Sequence, residues 1–428
     1  MSQILPRMDD PLTGSVEQPK SYWDIVWRQF GKNRAAWISL WTLAPLFLLA
    51  IFAPLIASNQ PLVFRDGDDL LFPWFRAVLN QEEAVDYVFN VALVAFPVWV
   101  VVGLALNHWW RRRGVGGRPR VLRIVGIYLV MIAAAAVLFS FETMRPDNKY
   151  RARSFPEEEA ASPETKQGWY PPIPFGPTEQ DLGAIFKPPG FIAGRGGAWD
   201  KSTDGFPHLL GTDDTGSDVL TRMIYGTRIS LTVGFVAVGL YITIGIIVGA
   251  LAGYFGGITD ISISRVIEIV LLFPSFFLIL TLVALIGPSI YIIMLVIGIT
   301  GWPTMARLIR GEVLKQRGND YVMAARSLGA SHGRIIFRHV LPNALSPAMV
   351  AAPFGVAGAI ITEAGLSLLG FGVQPPAPSW GTLLQQGSGN YTYWWLVVVP
   401  AAAMFFTVTI FNLIGSGLRD AMDPRLRM

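Results

Sequence analysis

Hydrophobic residues of the chain are gathered into long stretches that contain no charged side chain. These stretches cover residues 35–64, 87–110, 124–141, 229–259, 269–306, 340–362 and 364–418. A helix of about 20 residues crosses the hydrocarbon core of a bilayer, which is about 30 Å thick. Because backbone polar groups in lipid must be bonded within their own segment, the stretches predict membrane-spanning helices and not strands.

Turn sequences divide two of the stretches. Gly287-Pro288-Ser289 divides 269–306, and a proline-rich, polar run from Gln374 to Asn390 interrupts 364–418. The predicted spans lie at about 36–56, 86–107, 122–141, 229–252, 266–286, 289–308, 347–369 and 394–416. This makes eight spans, with seven and nine left open because the third is the shortest. The predicted fold class is all-α, a polytopic transmembrane helical bundle.

Basic residues in the short connections indicate the side of the membrane that each connection faces. With a cytoplasmic N-terminus, the inner segments 1–35, 108–123 and 306–344 hold five, six and seven Lys or Arg, whereas the outer loop 57–85 holds two. The outer segment 142–228 holds ten, but long segments cross the membrane largely regardless of charge. Both termini are therefore expected in the cytoplasm.

The composition agrees with a membrane protein. Charged residues make up 15% of the 428 residues, against about 25% in soluble domains. The net charge of +4 is too small to indicate a nucleic-acid-binding protein. The sequence has no cysteine and its four histidines show no metal-ligand spacing, so neither a disulfide framework nor a metal site is expected.

Two segments outside the spans have patterns of their own. The N-terminal arm, 1–35, carries apolar residues at helical spacing and predicts an interfacial helix, with docking of a partner protein as the alternative. The outer segment 142–228 has few apolar runs and predicts a small, loop-rich region. Its string 211–218, Gly-Thr-Asp-Asp-Thr-Gly-Ser-Asp, fits turn and N-cap chemistry, with calcium ligation as the alternative.

The inner loop 307–344 contains two short helical patterns. The string 320–329 predicts a helix that ends at Gly329, and the string 334–341 predicts a second helix that Pro342 stops. The loop is thus expected to form a helix–turn–helix at the membrane surface. Nucleic acid is not its expected partner, because the second helix must continue into a span.

The same loop carries a family resemblance. Ala324-Ala325 is followed by Gly329 four positions later and by Leu341-Pro342 twelve beyond that. This spacing resembles the "EAA" coupling loop of ABC importer permeases, and the fuller string is similar to the dipeptide and oligopeptide branch. The strings 211–230 and 363–372 resemble the same branch and stand in the right order, so the resemblance covers residues 205–428.

The N-terminal part of the chain resembles one subgroup of that branch. Asn59-Gln60-Pro61-Leu62 and Phe72-Pro73-Trp74, with the later Pro174-Phe175-Gly176, are similar to the permease of microcin C and oligopeptide importers. This match is shorter than the match over the second half of the chain.

Two features depart from the family pattern. Met323 stands in place of the glutamate that gives the loop its name, so any charge contact of that glutamate is absent here. The family usually has six spans, which makes spans two and three (86–141) an inserted hairpin. Two added spans keep the sidedness of everything that follows. We expect the hairpin to lie at the periphery, and its deletion to leave assembly intact.

The resemblance implies a permease subunit of an ATP-driven importer of peptides or peptide-like compounds, in the cytoplasmic (inner) membrane of a bacterium. Its implied partners are a second homologous permease, two cytoplasmic ABC ATPase domains, a periplasmic or extracellular substrate-binding protein, and membrane lipid. The sequence contains no G-x-x-x-x-G-K-[S/T] string, so ATP and magnesium are expected on separate ATPase subunits, with no catalysis and no cofactor on this chain.

The predicted organisation follows from the spans and the resemblance. Its parts are the arm 1–35, the first span 36–56, the periplasmic loop 57–85, the hairpin 86–141, the periplasmic segment 142–228 and a core permease domain 229–428 with the coupling loop 307–344. The resemblance assigns the ATPase-coupling loop to Tyr321, Met323, Ala324, Ala325, Gly329, Arg334, Ile336, Arg338, His339, Leu341 and Pro342. The residues expected at the contact with the ATPase are Tyr321, Ala324, Ala325 and Ile336, and those expected at its polar rim are Arg334 and Arg338.

Glu363 lies within the seventh predicted span, where an ionisable residue is costly to bury and usually functional. With Ser367 it is a candidate residue of the translocation path, near its outer mouth. The alternative, given equal weight, is that Glu363 forms a structural hydrogen bond to a neighbouring helix. The recurrence of Gly245, Gly249 and Gly253 predicts close helix packing. Nickel, glutathione or another small solute are alternative substrates, and an ATPase-independent secondary transporter is the alternative of a different class.

Overall fold

Long α-helices occupy the predicted apolar stretches. The computed structural model of the protein describes residues 22–79, 84–113, 117–140, 155, 158–159, 162, 165–192 and 206–423. The first 21 residues of the predicted arm and much of the predicted segment 142–228 lie outside these residues. The helices before the centre of the chain are α1 (Tyr22–Phe30), α2 (Arg34–Ile56), α3 (Pro73–Leu79), α4 (Ala84–Arg112) and α5 (Gly117–Ser140).

The remaining helices form the second half of the chain. They are α6 (Val219–Phe255), α7 (Gly257–Leu271), α8 (Ser275–Ile286), α9 (Ile290–Arg317), α10 (Asp320–Ser327), α11 (His332–Ile335), a π-helical turn (Ile336–Val340), α12 (Leu341–Ala344), α13 (Ser346–Leu368), α14 (Trp380–Ser388), a 3-10 turn (Tyr391–Tyr393) and α15 (Trp394–Met422).

Among the described residues, six helices are long and apolar enough to cross a membrane, or seven if the bent pair α7–α8 counts as one span. The predicted count of eight also included α5, which is helical over the expected range. The predicted span 266–286 corresponds to this bent pair, in which the axis turns by 80° between α7 and α8. Pro274, which has no N–H to donate, adopts an extended ψ of 114° immediately before α8.

Short strands join two of the predicted outer loops. The strands β1 (Val63–Asp66), β2 (Asp69–Leu71) and β3 (Lys166–Trp169) form an antiparallel sheet in the order β2-β1-β3. Phe64 is opposite Leu71 on one side and Gly168 on the other. A second pair joins β4 (Phe191–Ile192) to β5 (Pro207–His208). The all-α prediction missed these strands because each is too short to show an apolar periodicity.

The centre of the bundle is the close packing of α6 against α9. A methyl group built on Gly249 would lie 2.5 Å from the carbonyl oxygen of Ala306, and one on Gly253 would lie 2.8 Å from that of Arg310. Gly245 likewise has Met305 at 2.5 Å from such a group. The prediction of close helix packing at these glycines is confirmed, since no larger residue fits there without a shift of the backbone.

The inserted hairpin, α4 and α5, is attached to this bundle through α4. Val85 belongs to the main hydrophobic cluster, and the Ala84 N–H donates to the Tyr291 hydroxyl at 3.3 Å. By contrast, α5 is held by α4: the Tyr128 hydroxyl donates to the carbonyl oxygen of Ala92 at 2.7 Å. The expectation of a peripheral hairpin therefore fails for α4, because its first turn is part of the core.

A buried ion pair joins α4 to α6 and α2. The Arg228 side chain is fully buried, and its Nη1 lies 2.8 Å from Oδ1 of Asp86. Its Nε donates to the carbonyl oxygen of Ala50 at 2.7 Å, and its Nη2 to that of Ile51 at 3.4 Å. The Tyr225 ring lies 4.9 Å from the guanidinium carbon. Asp86 thus supplies the counter-charge without which this guanidinium would be desolvated and unpaired.

Asp86→Asn is expected to destabilise the protein by about 3–5 kcal/mol, because it leaves a buried guanidinium without its counter-charge. Thermal unfolding of the purified chain in detergent measures the effect. The matched control is Glu268→Gln, which breaks the exposed pair Arg265–Glu268 and is expected to cost about 0–1 kcal/mol.

The double variant Asp86→Asn/Arg228→Met removes both charges and is expected to recover part of the lost stability. Deletion of 86–141 is accordingly expected to destabilise the chain, contrary to the expectation from a peripheral hairpin. Equal melting temperatures for Asp86→Asn, Glu268→Gln and the unmodified chain would contradict this role of Asp86.

Candidate functional site

The connection between α9 and α13, residues 318–345, folds back onto the end of the bundle. Its inward side chains join a hydrophobic cluster with α6 and α9, made of Tyr254, Met305, Ile309, Val313, Val322, Ile335, Ile336, Val340 and Ala344 with smaller neighbours. Ile336 is 8% exposed, so its expected place at the contact surface is wrong. Its side chain instead fixes the connection to the bundle.

The first helix of the connection ends as predicted, at a glycine. Gly329 has a φ of +76°, a conformation that costs other residues roughly 1–2 kcal/mol. Its N–H donates to the carbonyl oxygen of Arg326 at 3.0 Å, and the N–H of Ala330 donates to that of Ala325 at 3.1 Å. These are the two bonds of a Schellman motif, so the turn after α10 is well defined.

The second helical segment differs from the prediction. Its first turn begins at His332, capped by Ser331, whose Oγ accepts from the N–H of Arg334 at 3.4 Å. The predicted stop at Pro342 is wrong, because the helical path continues through the π-helical turn to Ala344. Proline is tolerated there since it lies in the first turn of α12, where its missing N–H is not required.

Polar contacts tie the two ends of the connection together. The Tyr321 hydroxyl donates to Oε1 of Gln316, at the end of α9, at 2.8 Å. Nδ2 of Asn343 contacts the same hydroxyl at 3.3 Å and donates to the carbonyl oxygen of His339 at 3.0 Å. Tyr321 is thus placed between α9 and the π-helical turn, where it makes the connection rigid.

A second polar contact, which the sequence patterns did not indicate, joins the connection to α6. The Tyr254 hydroxyl lies 2.9 Å from Nδ1 of His332, although 78 residues separate the two. The two rings meet edge to face at 5.7 Å. Because Tyr254 is buried in the cluster, a displacement of the connection displaces the end of α6 with it.

The outward face of the connection carries large apolar side chains. Leu328 is 88% exposed, Phe337 75% and Met323 52%. We call these three residues the exposed apolar set. The assigned residues that are also exposed are Tyr321, Ala324, Gly329, Arg334, Arg338 and Pro342, whereas Ala325, His339 and Leu341 are half-buried. Leu328 and Phe337 were missed, although two bulky apolar residues beside a helix end and among arginines are a signal for contact with a partner.

Glu363, the other candidate, is fully buried in α13. Its Oε1 accepts from the hydroxyl of Ser367 at 2.7 Å and from that of Ser379 at 3.0 Å. Ser379 also caps α14, since its Oγ accepts from the N–H of Thr382 at 3.1 Å. The Glu363 side chain therefore links α13 to the start of α14. This is the geometry expected if Glu363 forms a structural hydrogen bond to a neighbouring helix.

A polar cavity of about 130 Å³ lies next to this contact. Ser367 lines it together with Arg222, Asp214 and Gln386. Nε2 of Gln386 donates to Oδ1 of Asp214 at 2.6 Å, and burial, with the adjacent Asp213 carboxylate, raises the pKa of Asp214 above its ordinary value. Ser367 is thus the candidate path residue that lines this cavity, whereas Glu363 does not line it.

The string 211–218 forms turns and a helix cap in the described structure. Oδ1 of Asp213 accepts from the N–H groups of Thr215 and Ser217, both at 2.9 Å, and its Oδ2 lies 2.6 Å from Nη1 of Arg222. Oδ2 of Asp218 accepts from the N–H of Thr221 at 2.8 Å and caps α6. The prediction of turn and N-cap chemistry is confirmed.

Gly329→Ala is expected to destabilise the connection by about 1–2 kcal/mol, because alanine is strained at a φ of +76°. Faster hydrogen exchange of the backbone amides in 320–341 is the measurement. Gly333→Ala is the matched control: Gly333 is helical and, like Gly329, has open space for a methyl group. This control is expected to be neutral or to stabilise by up to about 1 kcal/mol. Equal exchange in the two variants would contradict the strain at Gly329.

Two family descriptions match the chain. Residues 245–428 match the binding-protein-dependent transport system inner membrane component, and residues 21–73 match the N-terminal TM domain of oligopeptide transport permease C. The matched residues include α9–α13 with their connection, and α1 and α2. Residues 74–244, with the inserted hairpin, lie outside both matches.

Several relatives are similar over more than half of this chain. The dipeptide transport system permease protein DppC of Alkalihalophilus pseudofirmus is 42% identical over 221 residues, 51% of this chain and 73% of that protein. DppC of Haemophilus influenzae is 39% identical over 255 residues, 59% of this chain and 83% of that protein. The oligopeptide transport system permease protein OppC of Bacillus subtilis is 41% identical over 221 residues, 51% and 72% of the two chains. The chain therefore belongs to the DppC/OppC family of multi-pass, non-catalytic ABC transporter permeases.

Proposed function

We propose that this chain forms the membrane path of an ATP-driven importer of peptides or peptide-like compounds, and that it works by alternating access. Support for the transport class comes from the family, and support for peptides comes from relatives named for dipeptide and oligopeptide transport. ATP and magnesium are bound by separate ATPase subunits. A second permease and a substrate-binding protein complete the assembly.

Support for coupling to an ATPase comes from the α9–α13 connection, and above all from the exposed apolar set. A membrane protein that leaves Leu328 and Phe337 beyond the ends of its spanning helices, each at least 75% exposed, offers apolar area that a partner can bury. Arg334 and Arg338 are exposed in the same segment and form the polar rim of that contact.

The connection is built to pass a displacement into the bundle. Its inward side chains pack on α6 and α9, Tyr321 bonds to the end of α9, and His332 bonds to the end of α6. A push on Leu328 or Phe337 is therefore carried to two spanning helices rather than absorbed in the connection. Since packed helices move as near-rigid bodies, closure of the ATPases would rotate these spans.

Met323 changes the chemistry of this contact. It stands where the family's loop has glutamate, and it is 52% exposed. Methionine cannot pair with a cationic side chain, but its flexible thioether packs against varied apolar surfaces. We infer that the contact of this chain with its ATPase is more apolar than that of family members that keep the glutamate.

The sidedness of the assembly follows the distribution of basic residues. The connection belongs to the inner segment 306–344, which holds seven Lys or Arg, and the positive-inside rule places it in the cytoplasm. The start of α13 and the end of α15 share a cluster with α1, so the first and the last described helices meet at that same end of the bundle. We propose a bacterial inner membrane, with both termini cytoplasmic.

The finer proposal concerns the subgroup of microcin C and oligopeptide importers. Two strings that resemble this subgroup, 59–62 and 174–176, lie side by side. Ala57 pairs with Ile173, and a methyl group on Gly176 would lie 2.9 Å from Cγ of Asn59. Because the two strings lie next to each other, they support the proposal that both belong to one structure on the outer side of the membrane. In that subgroup, this structure would be the face on which the substrate-binding protein docks.

Leu328→Ser and Phe337→Ser are each expected to weaken association with the ATPase by roughly ten- to hundredfold, because a buried Leu or Phe contributes about 1.5–3 kcal/mol. Neither side chain packs in the bundle, so the fold is expected to survive. Co-purification of the ATPase with the permease, and ATP hydrolysis by the reconstituted assembly, measure the loss.

The matched control for these variants is Leu182→Ser, which truncates a side chain that is 78% exposed and lies outside the connection. It is expected to leave co-purification of the ATPase unchanged. If Leu328→Ser and Phe337→Ser bind the ATPase as well as Leu182→Ser does, the exposed apolar set is not the coupling contact.

We further propose that Glu363 and Ser367 hold the outer end of the path closed, and that Glu363 acts by positioning α14 rather than by contacting the substrate. Its burial and its bond to the Ser379 cap support this role. Ser367, which lines the polar cavity, stands between Glu363 and that cavity.

Glu363→Leu is expected to lower the maximal rate of peptide uptake and to destabilise the protein by about 1–3 kcal/mol, because two buried hydroxyls lose their acceptor. Glu363→Gln keeps an acceptor oxygen and is expected to retain most of the rate. Uptake by proteoliposomes, with KM and maximal rate determined separately, measures both. A raised KM with unchanged stability in either variant would indicate direct substrate contact and contradict the positioning role.

A further inference from the structure

The tip of the inserted hairpin concentrates positive charge. Residues 87–141 contain no Asp or Glu, and all six of their basic side chains, Arg111, Arg112, Arg113, Arg118, Arg120 and Arg123, lie around the turn between α4 and α5. Within the part of the hairpin that the structure describes, Arg111, Arg112, Arg113 and Arg123 are exposed. This tip belongs neither to the coupling contact nor to the path.

The tip lies at a membrane surface. The 29 residues of α4 are about 44 Å long, more than the roughly 30 Å of hydrocarbon. The first turn of α4 is fixed beside the second half of α2 by the Asp86–Arg228 pair. Its last turn therefore emerges on the opposite surface, at the end of the bundle that also carries the α9–α13 connection.

Two tryptophans hold the guanidinium groups in place. The guanidinium carbon of Arg113 lies 3.8 Å from the ring centroid of Trp109. That of Arg123, on α5, lies 5.5 Å from the ring centroid of Trp110, on α4. Such cation–π contacts orient the planar group, and tryptophan at a helix end prefers the interface between lipid and water. Arg113 and Arg123 are thus held beside tryptophans that favour the depth of lipid headgroups, and Arg111 and Arg112 are exposed next to them.

The tip lacks a protein counter-ion among the described residues. No carboxylate of the residues that the structure describes pairs with Arg111, Arg112, Arg113 or Arg123. Guanidinium groups bind phosphate through two parallel hydrogen bonds, and clusters of four to eight basic residues beside a membrane helix attract anionic lipid. We propose that the hairpin tip is a binding site for the phosphate headgroups of anionic phospholipids.

The surface next to the tip favours a lipid over a soluble anion or an acidic protein. Leu104 on α4 and Leu122 on α5 are exposed near the cations, and exposed apolar residues continue along both helices. An anionic phospholipid satisfies both parts, because its headgroup meets the arginines while its chains cover the apolar residues. A free phosphate ion would cover only the cations.

The test uses the full-length chain, purified with the subunits that accompany it, and counts bound phosphatidylglycerol and phosphatidylcholine by native mass spectrometry. The triple variant R111Q/R112Q/R113Q is expected to lose roughly a hundredfold in affinity for phosphatidylglycerol, about fivefold per arginine. Its weak binding of phosphatidylcholine is expected to stay unchanged. R111K/R112K/R113K keeps the charge and is expected to lose much less.

The matched control is R65Q/K187Q/R265Q, which removes the same net charge at positions outside the hairpin and is expected to keep phosphatidylglycerol bound. An equal loss in this control would show a general charge effect and overturn the site. Displacement of the lipid by millimolar inorganic phosphate would identify a free anion as the ligand instead. Unchanged lipid binding in R111Q/R112Q/R113Q, together with loss of a protein subunit, would identify an acidic protein surface and overturn the proposal.

Discussion

Burial of the Arg228 guanidinium is the constraint on which the outer half of the bundle depends. A cation inside a membrane protein has to find all of its partners within the protein. Arg228, on α6, finds them on two other helices, a carboxylate on α4 and two carbonyl oxygens on α2, and the ring of Tyr225 lies alongside on α6 itself. Neither α2 nor α4 can move away from α6 without removing partners of this charge, so the three helices form one rigid unit.

The inner half of the bundle is organised by apolar contact. Glycines on α6 bring its backbone against α9, and the cluster formed there extends into the α9–α13 connection. The exposed apolar set lies on the far side of that cluster. A partner that binds the connection is therefore coupled to the α6–α9 pair, and through α6 to the unit around Arg228. The two halves of the bundle are joined by α6, which is 37 residues long and belongs to both.

Sequence patterns predicted the parts of this structure that depend on residues close to one another in the sequence. The apolar stretches predicted the long helices because lipid imposes a minimum length, and Gly329 predicted a helix end because a positive φ excludes most other residues. The size of the bend before α8 was not predicted, because a proline within an apolar stretch indicates a kink and not its angle. The inward direction of Ile336 was missed because the π-helical turn shifts the helical period.

Contacts between distant positions were beyond prediction. Asp86 and Arg228 are 142 residues apart, and Tyr254 and His332 are 78 apart, so no local pattern connects either pair. Leu328 and Phe337 were missed for a different reason: their position beside a helix end and among arginines was a signal for contact, but an apolar residue in an amphipathic segment is usually buried. The coupling role of the connection was predicted from its resemblance to a family, and its exposed apolar set became visible only in the folded structure.

The small sheet shows how a family of simpler permeases could acquire the extra hairpin. Strand β1 precedes α4 and strand β3 follows α5, yet the two strands are hydrogen-bonded neighbours. The chain thus enters α4 and leaves α5 near the same place, so a hairpin inserted there would leave the path of the rest of the chain unchanged. Once a hairpin of this kind supplied the counter-charge of Arg228, its loss would leave that buried cation unpaired and destabilise the protein. The hairpin would then be retained, because the fold of the other helices had come to depend on it.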